Sequence, residues 1–185
     1  MTSIIDPLQW RKEAKLHNGT PLGLRAILPQ DDEKMLRLFD RLSADTVYFR
    51  FMAMVKRFSD SDIQRFTHID FANEMAIVGI VTSSGEPDGE KLVGVGRYAR
   101  LSQPERGEVA ITVEDAYQKQ GIGTLLWGEL LPFARAAGIE ALEAEVLAEN
   151  YRMLGLFRDS GYPATFQQLG GTVHVEIVIG SGTTD

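Results

Sequence analysis

The spacing of apolar residues divides this chain into an early helical part and a later part in which strands and helices alternate. After Pro29, an acidic Gln-Asp-Asp-Glu start leads into apolar residues at helical spacing, which are Met35, Leu38, Phe39 and Leu42. A shorter helix is predicted over about residues 45–54, and Ser59-Asp60-Ser61-Asp62 predicts the capped start of a third. Before these helices we expect a strand over residues 22–28 and, ahead of it, an arm without clear periodicity that has room for a short helix.

The later part predicts a three-stranded meander followed by a strand-helix-strand unit. The meander strands span residues 75–81, 91–101 and 108–113, and a loop rich in Gly, Pro and Asp joins the first two. A helix from about 120 to 137 ends at Gly138, where a left-handed cap favours glycine. The remaining elements are a strand at 141–147, a helix at 150–160 and paired strands at 163–169 and 172–179. We therefore expect one α/β (α+β) domain over residues 20–182, after an arm of residues 1–19.

Composition narrows the possible functions without choosing one. The chain has 185 residues and no cysteine, which excludes disulfide scaffolds, thiolate metal sites and a cysteine-linked covalent intermediate. No apolar run resembles a signal peptide or approaches the roughly 20 residues of a membrane span, so we expect a cytoplasmic protein without a membrane partner. The formal net charge of −7 disfavours nucleic acid as a partner and eases the approach of a cationic substrate, such as a lysine side chain or a polyamine.

The segment Gln118–Gly123, Gln-Lys-Gln-Gly-Ile-Gly, lies between a predicted strand and the start of a helix. Two residues without side chains at this point allow several backbone N–H groups to approach one phosphate group, and the helix dipole adds to their attraction. The P-loop lysine is missing, and so is the glycine order of a dinucleotide-binding fold. A diphosphate on another kind of ligand is therefore favoured, while a tight turn whose glycines serve only packing stays open.

The order of elements and the Gln118–Gly123 loop resemble the GNAT superfamily, the Gcn5-related N-acetyltransferases, whose Gln/Arg-x-x-Gly-x-Gly/Ala motif binds the diphosphate of acetyl-CoA. The resemblance covers roughly residues 22–180. Three segments look like the acetyltransferase domain of bacterial Pat-type protein-lysine acetyltransferases: GTPLGLRAILPQDDEKMLRLFDRLSADTVYFRFM, THIDFANEMAIV and EVLAENYRMLGLFRDSGY. The implied fold is a mixed, mostly antiparallel sheet of about six to seven strands flanked by helices, in which the parallel strands 108–113 and 141–147 splay apart.

This resemblance also implies a set of cofactor contacts. Acetyl-CoA would be the co-substrate, and no metal is required. The pantetheine arm would enter between the splayed strands, the phosphate loop would hold the diphosphate, and an asparagine would contact the arm or a bound water. The implied cofactor-binding residues are Ile111, Thr112, Val113, Gln118, Lys119, Gln120, Gly121, Ile122, Gly123, Thr124 and Asn150. Asn150 is also a good helix N-cap, and both roles are compatible.

Acyl transfer to an amine needs a base, because a lysine amine with a pKa near ~10.4 is protonated at neutral pH. Glu108 is the preferred candidate, since the resemblance places the family's glutamate base at that position. Glu145 on the following strand is the second candidate. Both have simpler explanations: Glu108 as a solvated carboxylate, and Glu145 as one of two surface residues alternating with an apolar face. Many family members have a tyrosine acid where this chain has Phe157, so that acid is missing here.

The leading hypothesis is an acetyl-CoA-dependent N-acetyltransferase that transfers the acetyl group directly to an amine, foremost a protein lysine. A small-molecule amine is the next acceptor, and a catalytically silent acyl-CoA sensor is the alternative from another class. The larger relatives often carry a cyclic-nucleotide domain or an acyl-CoA-synthetase-like domain, for which this sequence has no room. The sequence leaves monomer and homodimer both open.

Overall fold

The computed structural model describes residues 6–180, so residues 1–5 of the predicted arm and residues 181–182 of the predicted domain lie outside it. The strands are β1 Arg11–Lys15, β2 Pro21–Ala26, β3 Glu74–Thr82, β4 Glu90–Arg100, β5 Arg106–Val113, β6 Ala141–Leu147, β7 Ala164–Leu169 and β8 Thr172–Val178. The helices are α1 Asp32–Asp40, α2 Ala44–Phe51, α3 Asp60–Thr67, α4 Ile122–Ala136 and α5 Tyr151–Arg158. A short 3₁₀ turn at Pro29–Asp31 precedes α1, and another at Asp115–Tyr117 precedes the Gln118–Gly123 loop.

The predicted helices and the meander are confirmed, with small shifts of their ends. At the start of α3, the Ser59 hydroxyl accepts a hydrogen bond from the Asp62 N–H, and the Asp62 carboxylate accepts one from the Ser59 N–H. This is the reciprocal cap that the sequence predicted. In the described residues, no helix has the length and apolar character needed to cross a membrane.

The described part of the predicted arm, residues 6–19, contains a strand rather than a helix. β1 pairs antiparallel with β2, from Arg11 opposite Arg25 to Lys15 opposite Pro21. It lies at the edge of the sheet, and four of its five residues are exposed. Because no buried face imposes alternating apolar residues on an exposed edge strand, its sequence lacks the pattern by which strands are recognised.

Within residues 6–180 the sheet has eight strands in the order β1-β2-β3-β4-β5-β6-β8-β7, one more than the upper estimate of six to seven. Every neighbouring pair is antiparallel except β5 and β6, as expected. The parallel pairing covers only Arg106 opposite Ala141 through Glu108 opposite Glu143. The two strands pair no further toward their C-terminal ends, so the sheet opens between residues 109–113 and 144–147.

Helix α4 packs very closely on one face of the sheet, because glycines in β4 leave room for it. A Cβ atom at Gly96 would lie 3.0 Å from the Cβ of Leu126, and one at Gly94 would lie 3.1 Å from a methyl carbon of Ile122. Helices α1 to α3 pack on the opposite face over a separate apolar cluster that includes Phe39. The close seat of α4 positions its first turn beside the end of β5.

Candidate functional site

A cleft of about 1410 Å³ lies where β5 and β6 separate, and β5, the start of α4, α5 and α2 form its walls. It brings together the predicted site residues from four parts of the sequence. The ones that line it are Glu108, Ile111, Thr112, Val113, Gln118, Lys119, Gly121, Ile122, Gly123, Thr124, Glu145 and Asn150. Gln120 is the exception. The structure therefore gathers all but one of the candidates in one cavity.

The loop before α4 has the backbone shape of an anion-binding site. Lys119 and Gly121 both have positive φ, 61° and 89°, and Gly121 is the N-cap of α4 without a side-chain cap. Within residues 6–180, the N–H groups from Lys119 to Thr124 donate to no protein acceptor outside regular helix bonding. Consecutive unpaired N–H groups at a helix start form a concave site with positive potential.

Gln120 faces the N-terminal strands instead of the cleft. Its backbone carbonyl accepts from the His17 N–H at 3.2 Å, and its side-chain oxygen accepts from the Asn18 N–H at 3.2 Å. The imidazole of His17 also lies over the loop, because a Cβ atom on Gly121 would be 2.8 Å from His17 Nε2. The turn between β1 and β2 therefore supports the Gln118–Gly123 loop from the side away from the cleft.

The side chain of Gln118 is engaged by protein groups. Its Nε2 donates to the carbonyl of Val113 at 3.1 Å, and its Oε1 accepts from the guanidinium of Arg152 in α5. These bonds join the end of β5, the loop and α5. The side chain of Gln118 thus holds the loop in place.

The two faces of the open part of β5 have different surroundings. Val109 and Ile111 belong to the core under α4, whereas Glu108, Ala110 and Thr112 lie on the face toward α2. Thr112 is buried, and its hydroxyl has no hydrogen-bond partner among the described residues. Since β6 does not pair with β5 beyond Glu108, the backbone edge from 109 to 113 lies open to the cleft.

The two candidate bases are both exposed, but they differ in their partners. Glu108 makes no hydrogen bond or ion pair within residues 6–180. Glu145 lies 2.5 Å from Nδ1 of His174, the residue directly opposite it on β8. The apolar residues Leu142, Ala144 and Val146 occupy the other face of β6, as the alternation predicted. The structure therefore leaves the Glu108 carboxylate free and ties the Glu145 carboxylate to a histidine.

Two other carboxylates near the cleft have structural partners. Glu114 is buried between Arg41 and Lys91, at 2.9 Å from each. Asp115 accepts from the N–H and hydroxyl of Ser43, at 2.9 and 2.7 Å, and from the hydroxyl of Thr46 at 2.7 Å. Burial acts to raise the pKa of Asp115, but these hydrogen bonds hold it below its ordinary value of 3.8. Asp115 thereby fastens the start of α2 to the loop that follows β5.

Replacing Asp115 by asparagine should lower the free energy of unfolding by about 1 kcal/mol at neutral pH, a value discounted for the exposure of this carboxylate. Because its pKa is lowered in the folded protein, the contribution is complete above the unfolded value and disappears as the pH falls through the folded value. Urea unfolding at pH 7 and near pH 3 measures this difference. Asp40→Asn, an exposed change on α1, is the control. If Asp115→Asn lowered the free energy of unfolding equally at both pH values, the loss would not come from the ionised carboxylate.

Arg50 on α2 is a cleft residue that the sequence analysis did not identify. Its guanidinium lies 4.8 Å from the ring centre of Phe51. Burial and the positive charge of Arg97 lower the pKa of Arg50 to about 10, against the opposing effect of Glu108. The available signal was a charged residue between the aromatic residues Phe49 and Phe51 in a short helix, but nothing in the sequence relates that helix to β5.

At the other end of the cleft, Asn150 caps α5 by accepting from the N–H of Met153 at 3.2 Å, and it also lines the cavity. Phe157 is completely buried, with its ring centre 5.4 Å from that of Trp127. Tyr151 and Tyr162 also line the cleft. The capping role of Asn150 is confirmed, and the position of Phe157 carries no acidic group.

Comparison with known proteins gives a consistent result. Residues 37–162 match the model of the acetyltransferase (GNAT) family. An acetyltransferase of Pseudomonas aeruginosa is 30% identical over 141 residues, which are 76% of this chain and 74% of that protein. Acetyltransferase Pat of Mycolicibacterium smegmatis is 31% identical over 140 residues, or 75% of this chain, but the match spans only 40% of Pat. The crystal structure of the GNAT domain of S. lividans PAT superposes with a TM-score of 0.82 at 29% identity, covering 93% of this chain and 98% of that domain.

Proposed function

Since this chain belongs to the acetyltransferase (GNAT) family, we propose that it transfers an acetyl group from acetyl-CoA directly to an amine, foremost the side chain of a protein lysine. One observation carries the proposal: a single cleft has an anion-binding loop at one end and an unpaired carboxylate, Glu108, along its wall. These are the two features that binding of a diphosphate cofactor and deprotonation of an amine require.

The residues of the cleft fit acetyl-CoA. The unpaired N–H groups from Lys119 to Thr124 would hold the diphosphate, with the side chain of Lys119 as an auxiliary charge. The open edge of β5 would pair with the amide groups of the pantetheine arm as a missing strand would. Asn150 lies across the cleft, within the wall that the arm would follow. When bound, acetyl-CoA would supply the acetyl thioester.

The chemistry then falls to a few protein groups. The Glu108 carboxylate accepts the proton that the amine loses, directly or through a water, as the amine nitrogen bonds to the acetyl carbon and the carbon–sulfur bond breaks. A backbone N–H near Val113 polarises the thioester carbonyl. Phe157 cannot donate a proton, so the thiolate either leaves unprotonated or takes a proton from water. Among the two candidates we favour Glu108, because the Glu145 carboxylate is already paired with His174.

A protein lysine is the favoured acceptor because of the similarity to Pat. The structural match covers nearly all of the S. lividans PAT acetyltransferase domain. Because this chain spans less than half of the M. smegmatis protein, the activity and regulation of that whole protein do not transfer to it. A small-molecule amine remains the second proposal for the acceptor. A cytoplasmic location is part of the same proposal.

An acceptor panel tests the proposal. The protein is incubated with acetyl-CoA and, separately, with lysine peptides, folded proteins and small amines, and both thiol release and the modified atom are measured. Acetylated lysine side chains, absent when the protein is omitted, are the expected result. Modification of small amines alone would replace the lysine proposal with the small-molecule one. Acetyl-CoA binding without turnover on any acceptor would indicate the sensor instead.

A further inference from the structure

Arg50 is a cation without a counter-ion on the wall of the cleft. Within residues 6–180 its guanidinium donates no hydrogen bond and forms no ion pair, although other arginines near the sheet do. Arg97 is paired with Glu74, and Arg41 with Glu86 and Glu114. A half-buried guanidinium without a protein acceptor gains free energy when an anion accepts from its N–H groups, because the ion pair forms where water is partly excluded. Such a group is a ready site for an anion.

The aromatic cluster behind Arg50 fixes the guanidinium in place. Arg50 stacks on Phe51, whose ring centre lies 5.0 Å from that of Phe58 and 5.8 Å from that of Phe39. Contacts with an aromatic face are compatible with hydrogen bonding at the edge of the guanidinium, where a planar anion binds in a bidentate manner. The side chain is therefore held with its donors available.

The shape of the surroundings decides from which side an anion can arrive. The space enclosed by Arg50, Arg97, Phe66 and Thr112 measures about 10 Å³, which is about the minimum for one water and too small for a carboxylate. Arg50 also lines the large cleft, as Glu108 does. The cavity in which the acceptor amine would be deprotonated therefore offers the room that an anion needs to reach Arg50.

We infer that Arg50 binds a carboxylate of the acceptor, so that the enzyme selects lysines with an acidic side chain one or two residues away. The inference rests on the proposed function and specifies its substrate class. Glu108 and Arg50 present opposite charges to one substrate, whose ammonium and carboxylate are correspondingly separated. The attraction between Arg50 and the acceptor's carboxylate counteracts the overall charge of −7, which would otherwise repel an acidic peptide.

The test compares two lysine peptides that differ only in a neighbouring Glu or Gln. For the unmodified enzyme, kcat/KM for the Glu peptide should exceed that for the Gln peptide at least about tenfold, as expected for a charge-assisted bidentate contact. In Arg50→Gln this ratio should fall below about threefold, mainly through a higher KM for the Glu peptide. Arg65→Gln, an exposed residue of α3 outside the cleft, removes the same charge and should keep the original ratio.

The outcomes separate this inference from the proposed function. Equal kcat/KM for both peptides with the unmodified enzyme would overturn the inference while leaving lysine acetylation intact. This comparison does not depend on whether a variant folds. An equal loss of kcat on both peptides in Arg50→Gln would also overturn it, because Arg50 would then act on Glu108 and not on the acceptor. If free amino acids are acetylated and peptides are not, the lysine proposal fails, and a carboxylate preference measured on the amino acid against its amide decides the role of Arg50.

Discussion

Replacing Gly121 by glutamate should weaken acetyl-CoA binding at least about a hundredfold, because it adds a negative charge beside the N–H groups that would hold the diphosphate. Gly121 has a φ of 89° and is the first residue before α4, with no side chain between its backbone and the cleft. Isothermal calorimetry with acetyl-CoA measures the loss. Circular dichroism and thermal unfolding establish that the variant is folded.

Two control variants separate the charge from its side effects. Gly121→Ala introduces the same Cβ atom, which would lie 2.8 Å from His17 Nε2, and the same strain at positive φ, but no charge. Gly138→Glu adds the same charge at another positive-φ glycine, beyond the end of α4 and outside the cleft. If Gly121→Ala lost as much affinity as Gly121→Glu, distortion of the loop would explain the result and the anion site would lose its main support.

Replacing Glu108 by glutamine should lower kcat/KM by about 10² to 10⁴-fold, the range expected for loss of a general base. The amide has nearly the same shape but accepts no proton at neutral pH. The dissociation constant of acetyl-CoA should change less than about threefold, since Glu108 lies away from the phosphate loop. Thiol release with a saturating acetyl donor measures the first quantity, and calorimetry measures the second.

Glu145→Gln is the matched comparison, because Glu145 lies on the same face of the sheet and lines the same cleft. Its pairing with His174 predicts a smaller loss, and Glu105→Gln in an exposed turn should show none. A greater loss in Glu145→Gln than in Glu108→Gln would transfer the role of base to Glu145. Near-normal rates in both variants would mean that solvent removes the proton from the amine.

Several features could be predicted because their causes are local in the sequence. Helix α3 follows from Ser59 and Asp62, which satisfy each other's backbone N–H groups three residues apart. The unpaired N–H groups of the loop before α4 follow from glycines at a strand-to-helix junction, where nearby backbone geometry alone leaves them open. Strand β1 was missed for the converse reason, since an exposed edge strand needs no apolar alternation.

By itself, the sequence determined the family and predicted the class of cofactor and the segment that would bind its phosphates, because backbone geometry at Gly121 and side-chain periodicity are properties of short stretches of chain. The tertiary structure decided which charges remain unpaired. Glu145 meets His174 only because β8 lies beside β6, and the charge of Glu108 acts on Arg50 because α2 packs against β5. Such contacts join residues far apart in sequence, and their electrostatic energies depend on distance and burial, which only the fold sets.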